Sequence, residues 1–128
     1  MVPQDIPADI LAFLAQRIDS VPQLEALLMM SERADSVWTV DDVAARTYTN
    51  PATARAVLEA LQRRGLVEAD ERGLAFRFKP RERTDEALVA RVARYYRANL
   101  VIVATLIHDK ASASIQEFAR AFEFKKDR

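Results

Sequence analysis

Only two glycines occur in this 128-residue chain, at positions 65 and 73, so the backbone freedom that tight turns demand is concentrated in one place. Gly65 follows Arg63-Arg64 at the end of a helical pattern, where a left-handed residue closes the last turn. Gly73 lies between two β-prone runs, at the tip of a hairpin, where positive φ is needed. These two positions organise residues 39–80, TVDDVAARTYTNPATARAVLEALQRRGLVEADERGLAFRFKP. The stretch reads as two short helical patterns followed at once by a two-stranded hairpin.

The helix signals are local and chemical. Thr39 caps a helix over Val40 to Arg46, with Asp42 in the capping-box position, Asp41 beside it, and Val43 and Ala44 facing inward. Asn50 caps the next helix and Pro51 opens it; the helix runs to Arg64. Ala54, Val57, Leu58 and Leu61 recur at i, i+3, i+4 and i+7 on its inner face. Strands are expected over Leu66–Ala69 and Leu74–Lys79. In the second, Leu74, Phe76 and Phe78 alternate with Ala75, Arg77 and Lys79, which makes one face apolar and the other basic. This is the pattern of a winged helix-turn-helix, and the fold class it implies is mainly α with a small β-hairpin and extra N- and C-terminal helices.

Upstream, a helix fits Pro7 to Ile18, and a second runs from a Ser20 cap, with Pro22 in its first turn and Gln23 as box partner, to about Arg33. Val37-Trp38 is a short β-prone stretch. Downstream, Thr84 is expected to cap a long helix that continues to His108, with Leu88, Val89, Val92, Tyr95 and Tyr96 as its stripe. Ser114 and Glu117 form a capping box for a last helix, lined by Ile115, Phe118, Ala119 and Phe122. Length favours one domain over 1–128, with the winged motif at about 20–80 and a helical extension at about 84–124. That extension either docks on the chain's own core or offers aromatic residues to a partner.

Composition excludes several classes. Half the residues are hydrophobic, and the chain has no cysteine, hence no disulfide, thiolate nucleophile or Cys-type zinc site. The first ten residues lack a basic region and an apolar run and so do not read as a secretory signal, and the absence of cysteine fits a reducing cytoplasm, the setting expected. Leu100 to Ile107, the most apolar run, is eight residues long and too short to span a membrane. The single histidine, His108, sits beside Asp109 on a helix end, where neighbours do not face one another. No enzyme, metal or cofactor is therefore expected. Formal net charge is zero but unevenly spread: residues 1–42 carry two basic and eight acidic side chains, 43–80 seven and four, and 81–128 ten and seven.

The segment TNPATARAVLEALQRRGLVEA resembles the recognition helix and wing entry of MarR-like and related transcription regulators. The likeness covers about residues 39–80, a third of the chain. It implies a DNA-binding transcriptional regulator, with helix 50–64 in the major groove and wing 66–79 on the backbone. Carried across, it places Thr49, Asn50, Thr53 and Arg55 at double-stranded DNA. Arg63 and Arg64 then lie on phosphates, and Arg72, Arg77 and Lys79 on the wing. The chain departs from the pattern on the outer face of that helix, which presents Ala52, Ala56, Glu59 and Arg63. A smooth alanine face suits another helix as well as a groove, so the alternative is a winged-helix adaptor that holds a protein partner without DNA. Arg91, Arg94 and Arg97 recur every three residues, either to track phosphates or to pair with the acidic first third. The apolar run within helix 84–108 is either core or half of a homodimer contact. Trp38, Tyr48 and Tyr95 fit core packing or the lining of an effector pocket equally well.

Overall fold

Short polar side chains start three of the helices in this computed structural model, which describes residues 6–110. Ser20 Oγ accepts from Gln23 N at 3.3 Å and opens α2 (Val21–Glu32), with Pro22 in its first turn. Thr39 opens α3 (Val40–Thr47) with a complete capping box: Asp42 N donates to Thr39 Oγ1 at 3.1 Å, and Thr39 N donates to Asp42 Oδ2 at 3.0 Å. The Thr39 N–H, first among the causes, holds the Asp42 carboxyl below its usual range. Asn50 Oδ1 accepts from Thr53 N at 2.7 Å and opens α4 (Pro51–Arg63). The first helix, α1 (Ala8–Arg17), follows Pro7 with no side-chain cap. Gln23 departs from the expected box. Its Oε1 accepts from Asp19 N at 2.8 Å, one residue before the cap, and its Nε2 donates to Arg17 O at 3.2 Å. The buried amide thereby satisfies the turn that links α1 to α2.

The sheet has three strands, not the two of a bare hairpin. β1 (Trp38–Thr39), β2 (Val67–Ala69) and β3 (Ala75–Phe78) pair antiparallel in the order β1-β3-β2. Trp38 faces Phe76, and Val67 faces Phe78. The expected alternation fails at its first member. Phe76 is buried and Phe78 half-buried, but Leu74 is 52% exposed and lies outside the strand. Asp70 explains this. Its Oδ1 accepts from Leu74 N at 2.9 Å and Ala75 N at 3.2 Å, so the Leu74 backbone belongs to the turn. Both glycines take the left-handed conformation expected of them, Gly65 at φ 74° and Gly73 at φ 68°.

The long helix expected from Thr84 to His108 is two helices. α5 (Arg83–Ala98) begins two residues early, after Glu82, with no side-chain cap, and Thr84 sits inside its first turn. Arg81 N donates to Gly65 O at 2.9 Å and anchors that entry to the start of the wing. α5 ends at Asn99, whose φ of −140° leaves the helix. The Asn99 side-chain amide donates to Tyr95 O at 3.0 Å and takes the acceptor a continuing helix would give to the backbone. A further helical stretch, α6, covers residues 100–110. The last helix expected after Ser114 lies outside the described residues.

One apolar core joins these elements, with α2 at its centre. Leu24, Ala26, Leu27 and Met30 are fully buried. They pack among Phe13 and Leu14 of α1, Leu58 and Leu61 of α4, Phe76 of β3, Val89 and Val92 of α5, and Val103 and Ile107 of α6. Where the ends of α1 and α4 meet the start of α5, Arg17 Nη1 donates to Asp85 Oδ2 at 3.0 Å and Arg17 Nη2 donates to Arg64 O at 2.7 Å. Lys110 Nζ donates to Ile18 O at 2.6 Å and closes the end of α1 from α6.

Candidate nucleic-acid interface

Helix α4 divides cleanly into two faces. Ala54, Val57, Leu58 and Leu61 are buried against the core, while Pro51, Ala52, Thr53, Arg55, Ala56, Glu59 and Arg63 are exposed. No described element covers that outer row. Just before it, α3 ends at Tyr48, whose φ of 56° and ψ of 42° place it in the left-handed region. The turn is tied down by Thr49 N donating to Ala44 O at 3.0 Å. The Thr47 and Thr49 hydroxyls also lie 2.9 Å apart. Thr49 is thus half-buried and partnered within the turn, and the Asn50 side-chain oxygen is committed to its capping bond.

The cations read from the sequence fall into three groups. Arg63 and Arg72 are exposed and make no ion pair among the described residues. Arg55, Arg77 and Lys79 each stand near a carboxylate at the surface. Arg55 Nη1 is 3.9 Å from Glu59 Oε2, and Arg77 and Lys79 share Glu68 at 3.4 and 3.7 Å. Exposed pairs of this kind hold their partners weakly, about 0–1 kcal/mol each, and leave the cations open to exchange with a phosphate. Arg64 is different. Its guanidinium reaches Asp19 at 3.2 and 3.3 Å and the carbonyl of Gln16, so it fastens the end of α4 to the end of α1.

The wing carries less charge than its basic strand face promises. Between Val67 and Lys79, Arg72, Arg77 and Lys79 are matched by Glu68, Asp70 and Glu71. Asp70 is the structural member of that set. Its carboxyl sits below the usual range because the Leu74 N–H, then the Ala75 N–H, donate to it. Between the wing tip and the starts of α3 and α4 runs a shallow groove lined by Thr39, Val40, Asp41, Pro51, Ala52, Arg55 and Leu74.

Two residues of this region are exposed where the sequence gives an apolar reading. Leu74 reads as a core strand position until Asp70 is seen to claim its amide. Tyr48 reads equally as core or as the lining of an effector pocket, yet is 96% exposed; its place just before the Asn50 cap was the available signal. Trp38 is core-facing, 6% exposed, with the Arg46 guanidinium 5.8 Å above its ring. Among the described residues no group of three metal-ligating side chains forms, and no helix is long and apolar enough to cross a membrane.

No family model matches the chain, and no curated protein matches it. A solved structure similar to it is that of ZitR from Lactococcus lactis, a double mutant in apo form. It is 19% identical over 81% of this chain and 80% of that one, with a TM-score of 0.49, an overlap too loose to bear on function.

Proposed function

We propose that this protein is a DNA-binding transcriptional regulator in which α4 enters the major groove and the β2–β3 wing lies along the phosphate backbone. The single observation behind this is the open outer row of α4, continuous with Arg63 and flanked by the wing cations Arg72, Arg77 and Lys79. A helix carrying Thr53 and Arg55 near an uncovered N-terminus suits a groove that presents acceptors and thymine methyls, which Ala52 and Ala56 can meet. Phosphate contacts then set position and the helix reads sequence. Arg64 has no part in this contact; it serves the fold.

The division of labour among the arginines is the test. Arg55→Ala and Arg63→Ala are each expected to weaken binding to a mixed-sequence duplex about three- to tenfold, the loss of a phosphate or base contact, with little change in melting temperature. Arg64→Ala is expected to lower the melting temperature and leave the affinity of the folded protein nearly intact. Unchanged affinity in Arg55→Ala and Arg63→Ala would instead point to an adaptor that uses the alanine face for a protein partner. We place the homodimer contact on α6, where Leu100 is 52% and Val101 78% exposed, so that two α4 helices address two half-sites.

A further inference from the structure

The turn between α3 and α4 needs one residue with positive φ, and the chain supplies tyrosine. Glycine or asparagine meets that requirement at lower steric cost, whereas a bulky side chain at φ 56° is disfavoured. The ring gains nothing from the fold in return. It is 96% exposed, and its ring and hydroxyl make no hydrogen bond or ring contact among the described residues. An aromatic side chain this open, in a conformation this unfavourable, is disfavoured twice on stability grounds. It also stands two residues before Asn50, the cap of the helix assigned above to the major groove.

We infer that Tyr48 is a DNA-contacting residue whose ring packs against the deoxyribose edge of the groove that receives α4. The inference rests on the DNA-binding function proposed above. A phenol is neutral, so its contribution is an apolar contact added to the phosphate contacts of the arginines. Removing it lowers affinity without changing how affinity depends on salt, because no counterion is released by a neutral ring.

The experiment uses the full chain, a 30-base-pair duplex of mixed sequence and two substitutions. Tyr48→Gly keeps the turn and removes the ring. It is expected to raise or preserve the melting temperature while weakening duplex binding about tenfold, with an unchanged slope of log affinity against log salt. Tyr48→Phe keeps the ring and is expected to bind like the wild type. Wild-type affinity in Tyr48→Gly overturns the inference and leaves the DNA-binding function standing. A loss accompanied by a lower melting temperature also overturns it, because the ring then serves the fold. Equal weakness in both variants overturns ring packing in favour of the hydroxyl. A wild-type protein that does not bind the duplex removes the function and the inference together.

Discussion

Arg17 holds three things at once: Asp85 Oδ2 at 3.0 Å, the Arg64 carbonyl at 2.7 Å, and the face of Phe13, 5.4 Å from its guanidinium carbon. The Asp85 side chain is only 8% exposed, so its carboxylate depends on that one cation. Arg17→Ala is expected to cost about 3 kcal/mol of unfolding free energy, read from denaturant titration, because it leaves the buried Asp85 carboxylate unpaired. Arg17→Lys should recover only part of it, since an ammonium lacks the planar fork that reaches both acceptors. Nothing in the sequence marks Arg17 for this duty, because its partners lie 47 and 68 residues away. Tyr96 gives a second prediction. Burial, then its 2.9 Å hydrogen bond to Glu25 and that residue's charge, raise its phenol from 10.0 to about 12. The folded value exceeds the unfolded one, so the neutral phenol's contribution is complete below pH 10 and disappears as pH rises through about 12. Ultraviolet titration should find a phenolate that forms only as pH rises toward about 12. Glu25→Gln should bring it down only part of the way, with burial remaining.

Element boundaries follow from chemistry that is local in sequence, and where they were misread a side chain competes with the backbone. Thr39 with Asp42, and Asn50 with Pro51, announce α3 and α4 without tertiary help, and the two helices form as expected. The Asn99 break and the displacement of Leu74 both come from a carboxamide or carboxylate capturing a main-chain group, and periodicity does not register that event. β1 is two residues long and exists only through its pairing with β3, a contact that no local window contains. The glycines carry an element-scale prediction. Gly73→Ala should cost about 1 kcal/mol, the strain of positive φ alone, because nothing lies within 4 Å of an added methyl. Gly65→Ala should cost more, since the methyl would also meet Arg81 Cδ at 3.0 Å. The ordering is read by thermal melts of the two variants. Acid acts on the same hairpin. Asp70's folded value lies below 3.8, so its contribution is present above that pH and is lost as pH falls through the lowered folded value. Amide exchange at Leu74 and Ala75 should accelerate first in that window.

Across the whole molecule, three carboxylates of the acidic first third form ion pairs with later parts of the chain. Asp9 meets Arg91, Glu32 meets Arg97, and Asp19 meets Arg64 and Lys110. Arg91 and Arg97 thus stand in exposed pairs with that third, whereas Arg94 makes no ion pair among the described residues. The side proposed to face DNA therefore depends on a handful of cations: Arg55, Arg63, Arg72 and the Arg77–Lys79 pair. The architecture was legible because caps and glycines write it locally. The exposed outer face of α4 was legible in the sequence, but the pairing of Glu68 with two wing cations and of Arg64 with Asp19 was not, because those are tertiary facts. Assembly makes its own prediction at this scale. Light scattering should find a dimer at micromolar concentration, and Val101→Asp, at a position 78% exposed, should yield a folded monomer. The most direct test of the central claim is the salt dependence of duplex binding. With about four phosphates neutralised per protomer, log affinity should fall against log salt with a slope of about −3 to −4 per protomer, shallower than a strongly basic reader gives. A flat dependence, or no binding to duplex at about 50 mM salt, would contradict the claim that the open face of α4 and its wing meets DNA.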